Sequence, residues 1–144
     1  MSADLQLPPW EALETAALEV QRHAYAPYSK YLVGAAIWTT SGKLFRGCNV
    51  ENASYGLCCC AERSAIAALV SSGQRDLAAL AVVTTGDTPG SPCGMCRQVM
   101  SEFALDRPVP VRMLAEREGR IVARQDTTVQ ALLPFAFLPS VLLG

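Results

Sequence analysis

The sequence predicts an α/β sandwich, helices packed on a central sheet. Three observations carry that expectation. Stretches with apolar residues at three- and four-residue steps alternate with short strand-like runs. The chain has 144 residues, 51 % of them apolar, which suits one domain with a sizeable core. No repeat, linker or low-complexity tract divides it, so a single domain over residues 1–144 is expected.

Pro8 and Pro9 open a helix expected to reach about Ala24, with Trp10, Leu13, Ala17, Val20 and Ala24 on one side. His23, near its end, is expected to face solvent. Ala26-Pro27-Tyr28-Ser29 breaks the helix, and 33–39 and 43–48 read as a hairpin turning at Ser41-Gly42. The polar stretch 49–56 follows, carrying Asn49, Glu51 and Asn52. It reads either as a surface connection or as a carboxylate and amides able to hold sugar hydroxyls.

Residues 60–72 form a helical pattern rich in small residues that stops at Gly73, and 77–84 is a nearly continuous apolar run suited to a central strand. A loop over 86–92 leads to a helix expected over 93–104. Strands at 109–115 and 120–123 flank Glu118-Gly119, and Asp126 or Thr127 is placed to cap a short helix through Leu133. Arg112, Arg117, Arg120 and Arg124 read as a solvated face mixed with Glu116 and Glu118. The apolar tail, 131–143, is too short to span a bilayer and contains Pro134 and Pro139, so it is expected to pack on protein, its own or a partner's.

Lys and Arg number 12 against 13 Asp and Glu, a net charge of -1, which lacks the basic field that draws phosphate backbones; nucleic acid and membrane are not expected partners. The six cysteines include three in a row, poor material for a disulfide framework, and residues 1–10 show no secretory pattern, so a cytoplasmic setting is expected. In that setting the glycosylation pattern Asn52-Ala53-Ser54 is read as chance.

The chemistry is concentrated in Cys60-Ala61-Glu62-Arg63 and Pro92-Cys93-Gly94-Met95-Cys96. Cys93 and Cys96, three apart in the first turn of a helix, can pinch one ion, and Cys60 supplies a third thiolate. Three protein ligands leave a fourth tetrahedral place for water, whereas a structural zinc site normally closes with four. Glu62 is then free to carry protons, provided the cavity lies beneath the helix mouth, because residues two apart on a helix point apart. Three thiolates on a divalent zinc leave a net charge of about -1, so Arg63 and Arg97 are expected to donate to the sulfurs and offset it. Cys58 or Cys59 as a fourth ligand would make the zinc structural; both are instead expected to fill core space.

Six blocks extend the pattern: Ala24-Tyr25-Ala26-Pro27-Tyr28-Ser29, Val33-Gly34-Ala35-Ala36, Gly47-Cys48-Asn49-Val50-Glu51-Asn52-Ala53, the two cysteine motifs with their flanks, and Leu132-Leu133-Pro134. In this order, over roughly residues 10–139, the chain resembles the small zinc-dependent cytidine deaminases that act on free nucleosides. The resemblance implies a three-layer sandwich with a central mixed five-stranded sheet and helices on both faces. It implies one zinc ion (Zn2+) per subunit on Cys60, Cys93 and Cys96, with Glu62 as the catalytic proton carrier. It further implies substrate contacts from Asn49 and Glu51 to ribose and from Ala61 backbone groups to the base.

A homotetramer with shared active sites is also implied, in which Phe137 stacks on the base in a neighbouring subunit's site, while Phe135 is better suited to packing. The activity implied is hydrolytic deamination of cytidine and 2'-deoxycytidine. Alternatives are a deaminase of blasticidin S, for which the full Asn49-Val50-Glu51-Asn52 block would be unexpected, and a non-catalytic zinc-binding module. Tyr31 and Leu32 stand where the family usually has phenylalanine and proline, at the pocket wall, and Cys58-Cys59 add thiols beside the first ligand.

Overall fold

The structure, a computed structural model, describes residues 7–144. Residues 1–6, and with them most of the stretch read for a secretory pattern, lie outside the described residues. Five strands form one mixed sheet in the order β2-β1-β3-β4-β5: β1 Val33–Trp38, β2 Leu44–Cys48, β3 Ala79–Thr85, β4 Pro110–Arg117 and β5 Arg120–Thr128. Only β3 and β4 pair in parallel, joined by a crossover that carries a helix; the other neighbours are antiparallel.

Side chains alternate across the sheet and divide the core in two. Ile37, Leu80, Val82, Val111 and Met113 face α2 (Ala61–Ser71) and α3 (Gly94–Phe103). Ala36, Ala81, Val83 and Leu114 face α1 (Trp10–Gln21). β3 is buried on both faces from Ala79 to Thr84, as its unbroken apolar run requires. The expected sandwich of helices on both faces of a five-stranded sheet is the observed architecture.

The helices lie close to the hairpin because it offers glycine where they cross. A Cβ on Gly34 would overlap the Ala17 carbonyl of α1, and one on Gly47 would overlap the backbone of α2 at Ala65 and stand 2.7 Å from Ser64 Cβ. α1 buries Leu13, Ala17 and Val20 at helical spacing together with the polar Glu14 and Gln21, and His23 is exposed beyond its end.

Two expectations are corrected at the far edge. β5 continues to Thr128, so Asp126 and Thr127 are strand residues, and Thr128 caps α4 (Val129–Leu132) by accepting from the Ala131 N–H at 3.0 Å. Arg112 is not part of a solvated face: it bridges Glu14 at 3.1 Å and Asp126 at 2.8 Å and lies 4.4 Å from the ring centre of Trp10. The tail ends in a short helix α5 (Ser140–Leu143) and leaves Phe135, Leu138, Val141, Leu142 and Leu143 exposed in the single chain.

Candidate metal centre and its cavity

Cys60 and Cys93 are the N-cap residues of α2 and α3. Both have extended backbones, and their carbonyls accept the first helical bonds, from the Ser64 and Arg97 N–H groups. Neither thiol is spent on capping its own helix. Two helix N-termini, with their unpaired N–H groups, therefore favour negative charge at one point. Cys96, one turn into α3, is fully buried.

The three sulfurs lie within 4.8 Å of one another, with Cys60 and Cys93 3.8 Å apart and Cys93 and Cys96 3.4 Å apart. Tetrahedral zinc with thiolates at about 2.3 Å requires sulfurs about 3.8 Å apart, so the donor set fits zinc. Among the described residues, Cys60, Cys93 and Cys96 form the one such cluster, and Cys58 and Cys59 are not in it.

The protons on these thiols are unevenly held. Hydrogen bonds from the Cys96 thiol and from Arg63 bring Cys60 down to about 5, while the neighbouring Cys60 sulfur and burial push Cys96 up. One thiolate is favoured and the next is opposed, as expected of a sulfur cluster that needs a cation to ionise in full.

A cavity of about 240 Å³ opens beside the sulfurs, lined by Cys60, Ala61, Glu62 and Cys93 on one side and by Tyr31, Asn49 and Glu51 on another. Glu62 is 4 % exposed, and the geometric condition set by the sequence is met because its cavity lies at the mouth of α2. Burial raises its carboxyl to about 7, with the Cys60 sulfur adding to the shift. Larger concavities of about 340 and 690 Å³ flank α1, but no cysteine lines them.

The loop after β2 reaches the cavity because its ends are clipped together. Val50 and Cys59 exchange both backbone bonds, at 2.9 and 2.8 Å, which sets Asn49 and Glu51 beside the first ligand. Asn49 accepts from the Val33 N–H at 2.9 Å and donates to the Tyr31 carbonyl at 2.8 Å. Glu51 accepts from the Ser29 hydroxyl and from the N–H groups of Ser29 and Tyr28, which hold its carboxyl below the usual range. Ser29 was not anticipated as a site residue; a serine in a chain-breaking turn carries no local signal of a partner 22 residues away.

The two arginines separate. Arg63 donates to Cys60 Sγ at 3.6 Å and to the Cys58 carbonyl at 3.1 Å. Its Nε is buried without a hydrogen-bond partner among the described residues. Arg97 is corrected: its guanidinium donates to the carbonyls of Pro92 at 2.7 Å and Leu132 at 2.9 Å and to Ser91 Oγ at 3.0 Å, fastening the tail and the ligand loop to α3 instead of serving the sulfurs. Carbonyl oxygens are better acceptors for N–H than thiols, and the loop and tail bring them within reach.

Cys58 and Cys59 are also corrected, being half-buried thiols tied to the Asn52 N–H and the Ser64 hydroxyl and not core filling. Phe137 is 55 % exposed and outside the cavity, its carbonyl held by Gln98 Nε2 at 3.0 Å. Phe135 is fully exposed with φ 56°, a left-handed conformation unusual for an aromatic residue.

Residues 10–112 match the family described as the cytidine and deoxycytidylate deaminase zinc-binding region. The cytidine deaminase of Halalkalibacterium halodurans is 46 % identical over 122 residues, 84 % of this chain and 88 % of that protein. That of Sporosarcina psychrophila is 45 % identical over 127 residues, 88 % of this chain and 90 % of that protein. A blasticidin-S deaminase of Bacillus cereus is 33 % identical over 117 residues, covering 76 % and 79 %. The crystal structure of cytidine deaminase from Burkholderia pseudomallei superposes with a TM-score of 0.80 at 46 % identity, covering 88 % of this chain and 98 % of that one. With the thiolate cluster at two helix mouths, the buried carboxylate beside it and these likenesses in sequence and fold, the chain belongs to the zinc-binding cytidine and deoxycytidylate deaminase family.

Proposed function

We propose that this protein is a hydrolase that converts cytidine and 2'-deoxycytidine to uridine and 2'-deoxyuridine with release of ammonia. The observation that carries the reading is a three-cysteine cluster whose neighbouring buried carboxylate, Glu62, faces the same cavity and is not a fourth ligand. Zinc held by Cys60, Cys93 and Cys96 supplies the Lewis acidity that makes water a nucleophile at neutral pH. Every other task falls to the chain.

Glu62 carries the proton from the attacking water to the ring nitrogen and then to the departing amine. Its raised carboxyl, near 7, suits both directions of transfer at neutral pH. Arg63 withdraws charge from Cys60 through its 3.6 Å contact. Asn49 retains one amide hydrogen and Glu51 retains lone pairs beyond their bonds to backbone, and these hold the sugar hydroxyls. Ala61 offers backbone groups to the base from the first turn of α2, where helical N–H groups lack internal partners.

In one chain the cavity is open toward solvent, and the exposed Phe137 and tail favour completion by neighbouring copies. The proposed assembly is a homotetramer in which Phe137 of one subunit stacks on the base bound by another. Six free cysteines, three of them required as thiolates, suit a reducing cytoplasm.

The test is ammonia release and ultraviolet change with cytidine, and with adenosine, cytidine monophosphate and blasticidin S as competitors. Turnover of cytidine in preference to the others supports the reading. A zinc-loaded, assembled protein without that turnover points to another aminated heterocycle or to a non-catalytic zinc module. Phe137→Ala is expected to raise KM about tenfold through lost stacking, without altering the monomer fold. Unchanged kinetics would assign Phe137 to packing.

A further inference from the structure

Two residues from distant segments share a single space in the cavity wall. Tyr31 enters from the loop after α1, and its backbone is held on both sides. Its N–H donates to Ser29 Oγ at 3.0 Å, and its carbonyl accepts from Asn49 at 2.8 Å. Gly90 comes from the loop between β3 and α3, and its N–H donates to Thr84 Oγ1 at 2.9 Å, which ties that loop to a buried residue of the central strand.

A Cβ placed on Gly90 would overlap Tyr31 Oη and stand 3.1 Å from Thr84 Oγ1 and 3.2 Å from Thr84 Cγ2. Gly90 is not among the glycines with positive φ, so its backbone makes no demand for glycine. The phenol does. Tyr31 is 42 % exposed, and its Oη makes no hydrogen bond among the described residues. The ring is therefore positioned by the empty place at 90, with its hydroxyl left available in the cavity wall.

We propose that Gly90 is a positioning residue for substrate binding: by carrying no side chain it admits the Tyr31 phenol into the cavity wall, where the hydroxyl meets a polar group of the bound pyrimidine nucleoside. The proposal rests on the nucleoside reading above. A methyl group at 90 evicts the phenol hydroxyl from its present place, because the exposed end of the tyrosine gives way where the buried Thr84 does not. Taking away the hydroxyl relieves that eviction, because every other Tyr31 atom lies farther from the added methyl than the nearest Thr84 atoms do. The functional cost of alanine at 90 thus depends on which residue stands at 31.

A double-mutant cycle tests this on the zinc-loaded protein, with kcat and KM for cytidine measured for wild type, Tyr31→Phe, Gly90→Ala and the double variant. Tyr31→Phe is expected to raise KM by about three- to tenfold, the worth of one hydrogen bond, with kcat little changed. Gly90→Ala should raise KM further, and the double variant should return to the Tyr31→Phe value. An additive cycle, a silent Gly90→Ala, or an effect confined to kcat overturns the proposal. Zinc content and melting temperature are followed in parallel; should Gly90→Ala fail to fold, the double variant must fold, and its failure counts against the pairing. Wild type that does not turn over cytidine overturns the deaminase reading and this proposal with it, whereas wild-type turnover with an additive cycle overturns the proposal alone.

Discussion

Glu14 and Glu62 are buried on opposite faces of one sheet, 8 % and 4 % exposed, and their carboxyl groups are shifted in opposite directions. Glu14, on α1, accepts from Arg124 at 2.8 Å and from Arg112 at 3.1 Å, and these guanidinium groups hold it below the usual range. Glu62, on α2, has burial and a nearby thiolate against it, and it rises. Depth alone therefore does not decide what a buried carboxylate is for. The one bonded to two guanidinium groups is held ionised and stabilises the fold, and the one whose burial outweighs the pull of Arg63 is left able to exchange a proton at neutral pH.

The largest expected effect is on turnover. Glu62→Gln should lower kcat by about a hundred- to ten-thousandfold while zinc remains at one per chain and the melting temperature does not fall. A fully active variant would break the contrast at its functional end. Next comes Arg63→Gln, which removes the cation nearest the sulfurs and should weaken zinc binding by about ten- to a hundredfold, read by competition with a chelator. Unchanged zinc affinity would mean that the helix N-termini suffice.

Glu14→Gln should leave kcat alone and cost roughly 1.5–3 kcal/mol of stability, measured by denaturant unfolding. The smallest effect is its pH dependence. The folded-state value of Glu14 is depressed, so its contribution is present above its ordinary value of 4.5 and is lost as pH falls through the lower folded value. The stability difference between wild type and Glu14→Gln should shrink in acid, and a difference that stays constant would show that the carboxylate's charge is not what Arg112 and Arg124 recognise.

Legibility in the sequence followed how local each signal was. Cys93 and Cys96 declared themselves because three residues of helix return a side chain to the same face, and β3 did so because burial on both sides leaves no polar position. β5 was cut short for the opposite reason: as an exposed edge carrying Arg124, Gln125 and Asp126, it has almost no apolar alternation to read, and only pairing with β4 makes it a strand. Arg63 and Arg97 looked equivalent beside their cysteines, and what separated them was the Leu132 carbonyl, 35 positions on from Arg97. Ser29 and Gly90 were silent because each matters through one distant residue, Glu51 in the first case and Tyr31 in the second.

The close seat of α2 over Gly47 has a bearing on the metal site. Thirteen positions separate this glycine from Cys60, and nothing on it can touch a metal, yet any side chain there must lift the helix whose N-cap is Cys60. A side chain at position 47 would therefore disturb the zinc site as well as the core.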